Sequence, residues 1–90
     1  MALLRRRLLV SGEVQGVFFR DRCRREAMAA GVAGWARNLP DGRVEVVAEG
    51  EPEAVERLQR WCRQGTPQAE VTSVEALDED PEGLSGFSTR

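Results

Sequence analysis

The stretch Gly12-Glu13-Val14-Gln15-Gly16-Val17-Phe18-Phe19-Arg20 obliges the chain to end a strand and start a helix within a few residues. The apolar run ahead of it, Leu8-Leu9-Val10, has strand character, and the residues from Arg20 onward are good helix formers. Gly12 and Gly16 can take positive φ without steric cost and leave neighbouring N–H groups unshielded. Successive N–H groups feeding a helix N-terminus make an anion site. Arg20 falls where that helix begins, and its planar donor fork suits a phosphate better than the point charge of a lysine. The stretch therefore predicts a phosphoryl cradle built from Arg20 and the backbone of Gln15, Gly16, Val17, Phe18 and Phe19. The plainer alternative is a structural turn followed by a solvated arginine.

Taken in order, residues 5–12 read as a strand with Leu8 and Val10 inward and Arg7, Leu9 and Ser11 outward. Arg20–Ala30 reads as a helix stopped by Gly31, with Phe19, Cys23, Ala27 and Ala30 on one stripe. Val32–Leu39 and Arg43–Glu49 read as strands joined by the turn Pro40-Asp41-Gly42, an antiparallel hairpin. Along the latter strand Val44, Val46 and Ala48 point inward and Arg43, Glu45 and Glu49 outward. Pro52–Gln64 is a second helix, with Val55, Leu58, Trp61 and Cys62 as its apolar stripe and Gly65 as its stop. Ala69–Leu77 is a fourth strand, in which the three-residue spacing of Val71 and Val74 predicts a bulge. After an acidic loop, 78–83, a short strand begins at Phe87. The order is β-α-β-β-α-β plus a terminal strand. That is the α+β, ferredoxin-like two-layer plan, with an antiparallel sheet, both helices on one face and the other face open.

Ninety residues predict one domain, 1–90, that buries about 60–65% of its unfolded surface around a single thin core. The net charge of −2 is unevenly placed: residues 1–37 hold eight arginines against three acids, and 38–90 hold five against twelve. The positive half carries the proposed cradle and would attract anions. Arg5, Arg6, Arg7, Arg22, Arg24 and Arg25 are read mainly as solvated decoration. Histidine is absent, which removes the commonest general base and metal ligand. Cys23 and Cys62 are too few for a zinc cluster and read as buried free thiols in two helices, the alternative being a bridge that requires the helices to bring them close. The apolar stretch 8–10 is too short for a signal peptide, and nothing approaches a membrane span. These features predict a cytoplasmic protein with reduced thiols and no membrane partner.

A second motif follows at Gly34-Trp35-Ala36-Arg37-Asn38-Leu39-Pro40-Asp41-Gly42-Arg43-Val44-Glu45-Val46. Together with Gly12–Arg20 it resembles the acylphosphatases, small enzymes that hydrolyse acyl phosphates, in the order and separation of both motifs over nearly the whole chain. The resemblance implies the same ferredoxin-like fold. It implies that Arg20 is the phosphate-binding catalytic residue and that Asn38 orients the attacking water. Read from the residues alone, Asn38 could equally be a turn residue that satisfies nearby backbone groups. The resemblance further implies metal-free hydrolysis with no cofactor, and a phosphate or sulfate anion able to occupy the site. The carboxylate leaving group of an acyl phosphate needs little acid assistance, so positioning and charge neutralisation would suffice. Thr89 stands where the family usually has a larger aliphatic residue.

Several neighbours are read as structural. Asp41-Gly42 is turn chemistry, Asp21 a first-turn acid favoured by the helix dipole, Glu13 and Glu45 solvated, and Trp35 and Trp61 packing residues. Two rivals remain: a non-catalytic binding module that keeps the anion pocket, and an RNA-binding sheet of the same topology. The second needs aromatics on the open face, where Trp35 stands alone, so no nucleic-acid partner is expected. The expected species is a monomer acting on a small-molecule acyl phosphate.

Overall fold

A computed structural model describes residues 3–90. Its elements are β1 (Leu4–Glu13), α1 (Phe19–Ala30), β2 (Ala33–Asn38), β3 (Val44–Gly50), α2 (Pro52–Gln64), β4 (Glu70–Glu79) and β5 (Phe87–Thr89). They form one five-stranded sheet in the order β4-β1-β3-β2-β5. The first four strands pair antiparallel, as the alternation predicts. β5 lies parallel to β2, so its addition makes the sheet mixed. This is the ferredoxin-like α+β plan with an extra edge strand.

The core forms where the inner face of the sheet meets the two helices. Leu8, Val10, Val44, Val46 and Ala48 pack against Phe19, Cys23 and Ala27 of α1 and Val55, Leu58 and Cys62 of α2. Small Ala27 lets α1 lie close to the sheet, and Gly31 ends it in the left-handed conformation at φ 74°. Pro52 opens α2 at the first helical turn. The predicted bulge is present. β1 and β4 change register between Ser11 and Gly12, where Gly12 faces Val71 and Thr72 is the extra residue. Gly12 sits at φ 122°, and a Cβ there would lie 2.0 Å from the Glu70 carbonyl oxygen.

The outer face differs from the expectation of an open surface. All seven residues of β3 are buried, Glu45 and Glu49 included. The segment after β4 folds back over this face, and the N–H groups of Glu82, Gly83 and Leu84 donate to the Glu49 carboxylate at 2.9, 2.7 and 2.9 Å. Arg5, only 4% exposed, stands beside Glu49 and donates to Glu79 at 3.0 Å. Glu45, read from the sequence as solvated, is 6% exposed and joins Arg7 at 2.7 Å to Arg37 at 2.6 Å. Arg6 pairs with Asp78 and donates to Gln59. Arg5, Arg6 and Arg7 are thus structural partners rather than decoration. Trp35 packs as expected, with two guanidinium groups over its ring: Arg5 lies 5.4 Å and Arg90 4.1 Å from the centroid.

Candidate active site

The cradle sits where β1 leaves the sheet and α1 begins. Phe18 is the N-terminal boundary residue of α1, with φ 61° and ψ 22° and no side-chain cap. Among the described residues it is the only non-glycine with positive φ, a conformation that L side chains adopt at a cost. Gly16 also lies at positive φ, 78°. Together they bend the loop between β1 and α1. Among the described residues, the N–H groups of Gln15, Gly16, Val17 and Phe18 donate to no other protein acceptor. The first helical bond runs from Arg22 N–H to the Phe18 carbonyl at 3.1 Å. The α1 amides that precede Arg22 are therefore left facing outward, as at any helix start.

A concavity of about 240 Å³ opens over this bend, lined by Val14, Gly16, Phe18, Phe19, Arg20, Asp21 and Asn38. It brings the two sequence motifs together. Asn38 is the last residue of β2, opposite Val44, and its exposed side chain borders the concavity from the hairpin side. Arg20 borders it from the helix side, and its Nη1 donates to the main-chain oxygen of Arg90 at 2.7 Å. Arg90 follows directly on β5 and is held alongside β2, because its N–H bonds back to Ala36 O at 2.8 Å. One of the five guanidinium donors is thereby fixed and the others are available to an anion.

Two side chains brace the loop. Gln15, predicted only as a backbone contributor, donates through Nε2 to Leu39 O at 2.8 Å and Arg43 O at 2.9 Å, tying the cradle to the hairpin that carries Asn38. Thr66 donates its hydroxyl to Val17 O at 2.8 Å. Neither Thr66 nor Arg90 was singled out from the sequence for the site, and both lie outside the two motifs. Gln15 lies inside the first motif, where a side-chain amide next to Gly16 was its one signal. Val17 is half-buried, and Phe19 is buried against Trp61 at 5.1 Å between ring centroids.

The neighbours behave as turn and surface chemistry requires. Asp41 accepts from Arg43 N–H at 3.1 Å and from its Nε at 2.8 Å, and these bonds hold its carboxyl below the usual carboxylate range. Asp21 pairs with Arg25 one turn on. Among the described residues, no three His, Cys, Asp or Glu side chains converge as a metal site. Among the described residues no helix is long and apolar enough to cross a membrane.

A strand-to-helix bend with unpaired amides, a flanking arginine and an asparagine from a neighbouring hairpin meet at one concavity on a ferredoxin-like scaffold, an arrangement with the donors to receive an anion. The acylphosphatase family model matches residues 6–89. An acylphosphatase of Rubrobacter xylanophilus is 57% identical over 93% of this chain and 77% of its own length. An acylphosphatase of Thermococcus kodakarensis is 56% identical over 97% of this chain and 96% of its own. Among solved structures, the acylphosphatase of Bacillus subtilis superposes with a TM-score of 0.94 at 38% identity, covering 97% of this chain and 98% of that one. The chain belongs to the acylphosphatase family, and as such is a hydrolase.

Proposed function

We propose that the chain hydrolyses the carboxyl–phosphate bond of small acyl phosphates to a carboxylate and orthophosphate, with Arg20 and Asn38 as its catalytic residues. The observation that carries this reading is the single concavity that Arg20, Asn38 and the bend at Gly16–Phe19 line together. Arg20 and the amides of Gln15 to Phe19 bind the three non-bridging phosphoryl oxygens and neutralise the charge that gathers there in the transition state. Asn38 accepts a hydrogen bond from the attacking water and holds it in line with the scissile P–O bond. As the new P–O bond forms, the bond to the acyl oxygen breaks and the carboxylate departs without a proton. The water's proton passes to a phosphoryl oxygen, which explains how a site without histidine works.

This chemistry requires no metal or cofactor, and the species we envisage is a cytoplasmic monomer. The test is the rate of hydrolysis of acetyl phosphate and benzoyl phosphate with EDTA present. The reading expects turnover of both, unchanged by the chelator. Phosphate binding without turnover would instead mark a binding module that has kept the pocket. The RNA-binding reading is disfavoured because Trp35, its one aromatic, already has the guanidinium groups of Arg5 and Arg90 over its ring.

A further inference from the structure

We infer that Thr66 is a positioning residue of the cradle: its hydroxyl holds the Val17–Phe18 peptide with the carbonyl drawn away from the anion pocket and the Phe18 N–H aimed into it. The inference rests on the proposal that this loop receives a phosphoryl group. Among the described residues no peptide bond is cis, and in a planar trans peptide the C=O and N–H point in opposite directions. Whatever fixes the Val17 carbonyl therefore aims the Phe18 amide. Thr66 lies between α2 and β4, is 5% exposed, and bonds Val17 O at 2.8 Å. Gly65, at φ 71°, brings this junction against the cradle, since a Cβ there would meet the Phe19 ring and Val71 at 3.2 Å.

The strain at Phe18 shows why a brace is required. Its φ of 61° is unfavourable for a phenylalanine, and its ring is 70% exposed, so packing does not hold it there. Flipping the 17–18 peptide would rotate ψ of Val17 and φ of Phe18 by about half a turn, returning Phe18 to the ordinary negative range. The same flip would point a carbonyl oxygen into the pocket, where it repels an anion. The loop thus has two settings, and the Thr66 hydroxyl selects the strained one that binds.

The test compares Thr66→Val, which keeps the volume and loses the donor, with Thr66→Ser, which keeps the donor. Two things are read: the Phe18 φ from NMR scalar couplings without anion, and inhibition of benzoyl phosphate hydrolysis by inorganic phosphate. In Thr66→Val we expect φ of Phe18 to turn negative. The inhibition constant and KM should rise about tenfold with kcat kept, because the binding-competent setting becomes a minor population. Thr66→Ser should restore all three, and Phe18→Gly in the Thr66→Val background should restore part of the affinity by removing the cost of positive φ. Should Thr66→Val not fold, Thr66→Ala is read in the same way. Positive φ retained in the variant lacking the hydroxyl, or unchanged phosphate inhibition, would overturn the assignment. A wild-type protein that phosphate does not inhibit would defeat the functional proposal alone, and the Phe18 φ would still decide the role of Thr66.

Discussion

Arg20, the second residue of α1, borders the concavity over the bend and donates to the main-chain oxygen of Arg90, the residue after β5. Replacing it with alanine should lower kcat/KM on benzoyl phosphate by ~10³-fold or more, because charge neutralisation is the main catalytic contribution available here. It should also weaken phosphate inhibition, and unaltered inhibition would remove Arg20 from the cradle. Asn38→Ala should lower kcat by ~10²-fold while leaving phosphate inhibition near the wild-type value, since in the proposed mechanism the amide acts on water rather than on phosphate. If phosphate binding collapsed along with kcat, Asn38 would be a turn residue of the hairpin. At this scale the sequence marked Arg20 and Asn38, which border one concavity, while the roles proposed for them came from the family resemblance and not from any local pattern. Gln15 was legible in position but not in role: its side chain reaches carbonyls 24 and 28 residues away, a contact no local pattern encodes.

Among elements, local signals set nearly every boundary that a cap or turn residue marks. Pro52 and Gly65 bracket α2, Gly31 stops α1, and the Val71–Val74 spacing foretold the bulge. Backbone approach explains a requirement the pattern left silent. Gly34 lies at φ 141° in β2, and a Cβ on it would come within 1.7 Å of the Val47 carbonyl oxygen. Gly34→Ala should therefore destabilise the fold by about 3 kcal/mol, roughly 15 °C in Tm for a chain this short. An unshifted thermal transition would show that β2 can move away from β3 without cost. The parallel pairing of β5 was not legible, since three residues with one buried phenylalanine carry no sign of strand direction.

For the whole molecule the outer face of the sheet is decisive, and there the alternation misled. Period-two reasoning put Glu45 and Glu49 outward, correctly, but could not tell that Glu49 would meet a segment more than thirty residues further along and Glu45 the guanidinium groups of Arg7 and Arg37. The backbone N–H of Glu82 and its neighbours hold the Glu49 carboxyl below the ordinary glutamate range against the opposing effect of burial. Burial likewise pushes Glu45 up, but hydrogen bonds from Arg37 and Arg7 outweigh it. Both carboxyls bind protons less readily folded than unfolded. Their stabilisation is therefore complete above the ordinary glutamate value near 4.5 and is lost as pH falls through the lower folded values. Tm should be flat from neutral pH to about 5 and drop below it, and Glu49→Gln should flatten that drop. An equally steep drop in the variant would assign acid sensitivity elsewhere. On the inner face, the hydrogen bond with Cys23 and burial push the Cys62 thiol up, so neither buried cysteine should react with a thiol reagent until the protein unfolds.

The central claim is that the bend between β1 and α1 grips a tetrahedral anion. The most direct measurement is a crystal structure with inorganic phosphate soaked in. The account predicts density for phosphate against the Gly16–Phe19 amides with the Arg20 guanidinium turned onto it. A bend left empty at saturating phosphate, with Arg20 directed into solvent, would contradict it.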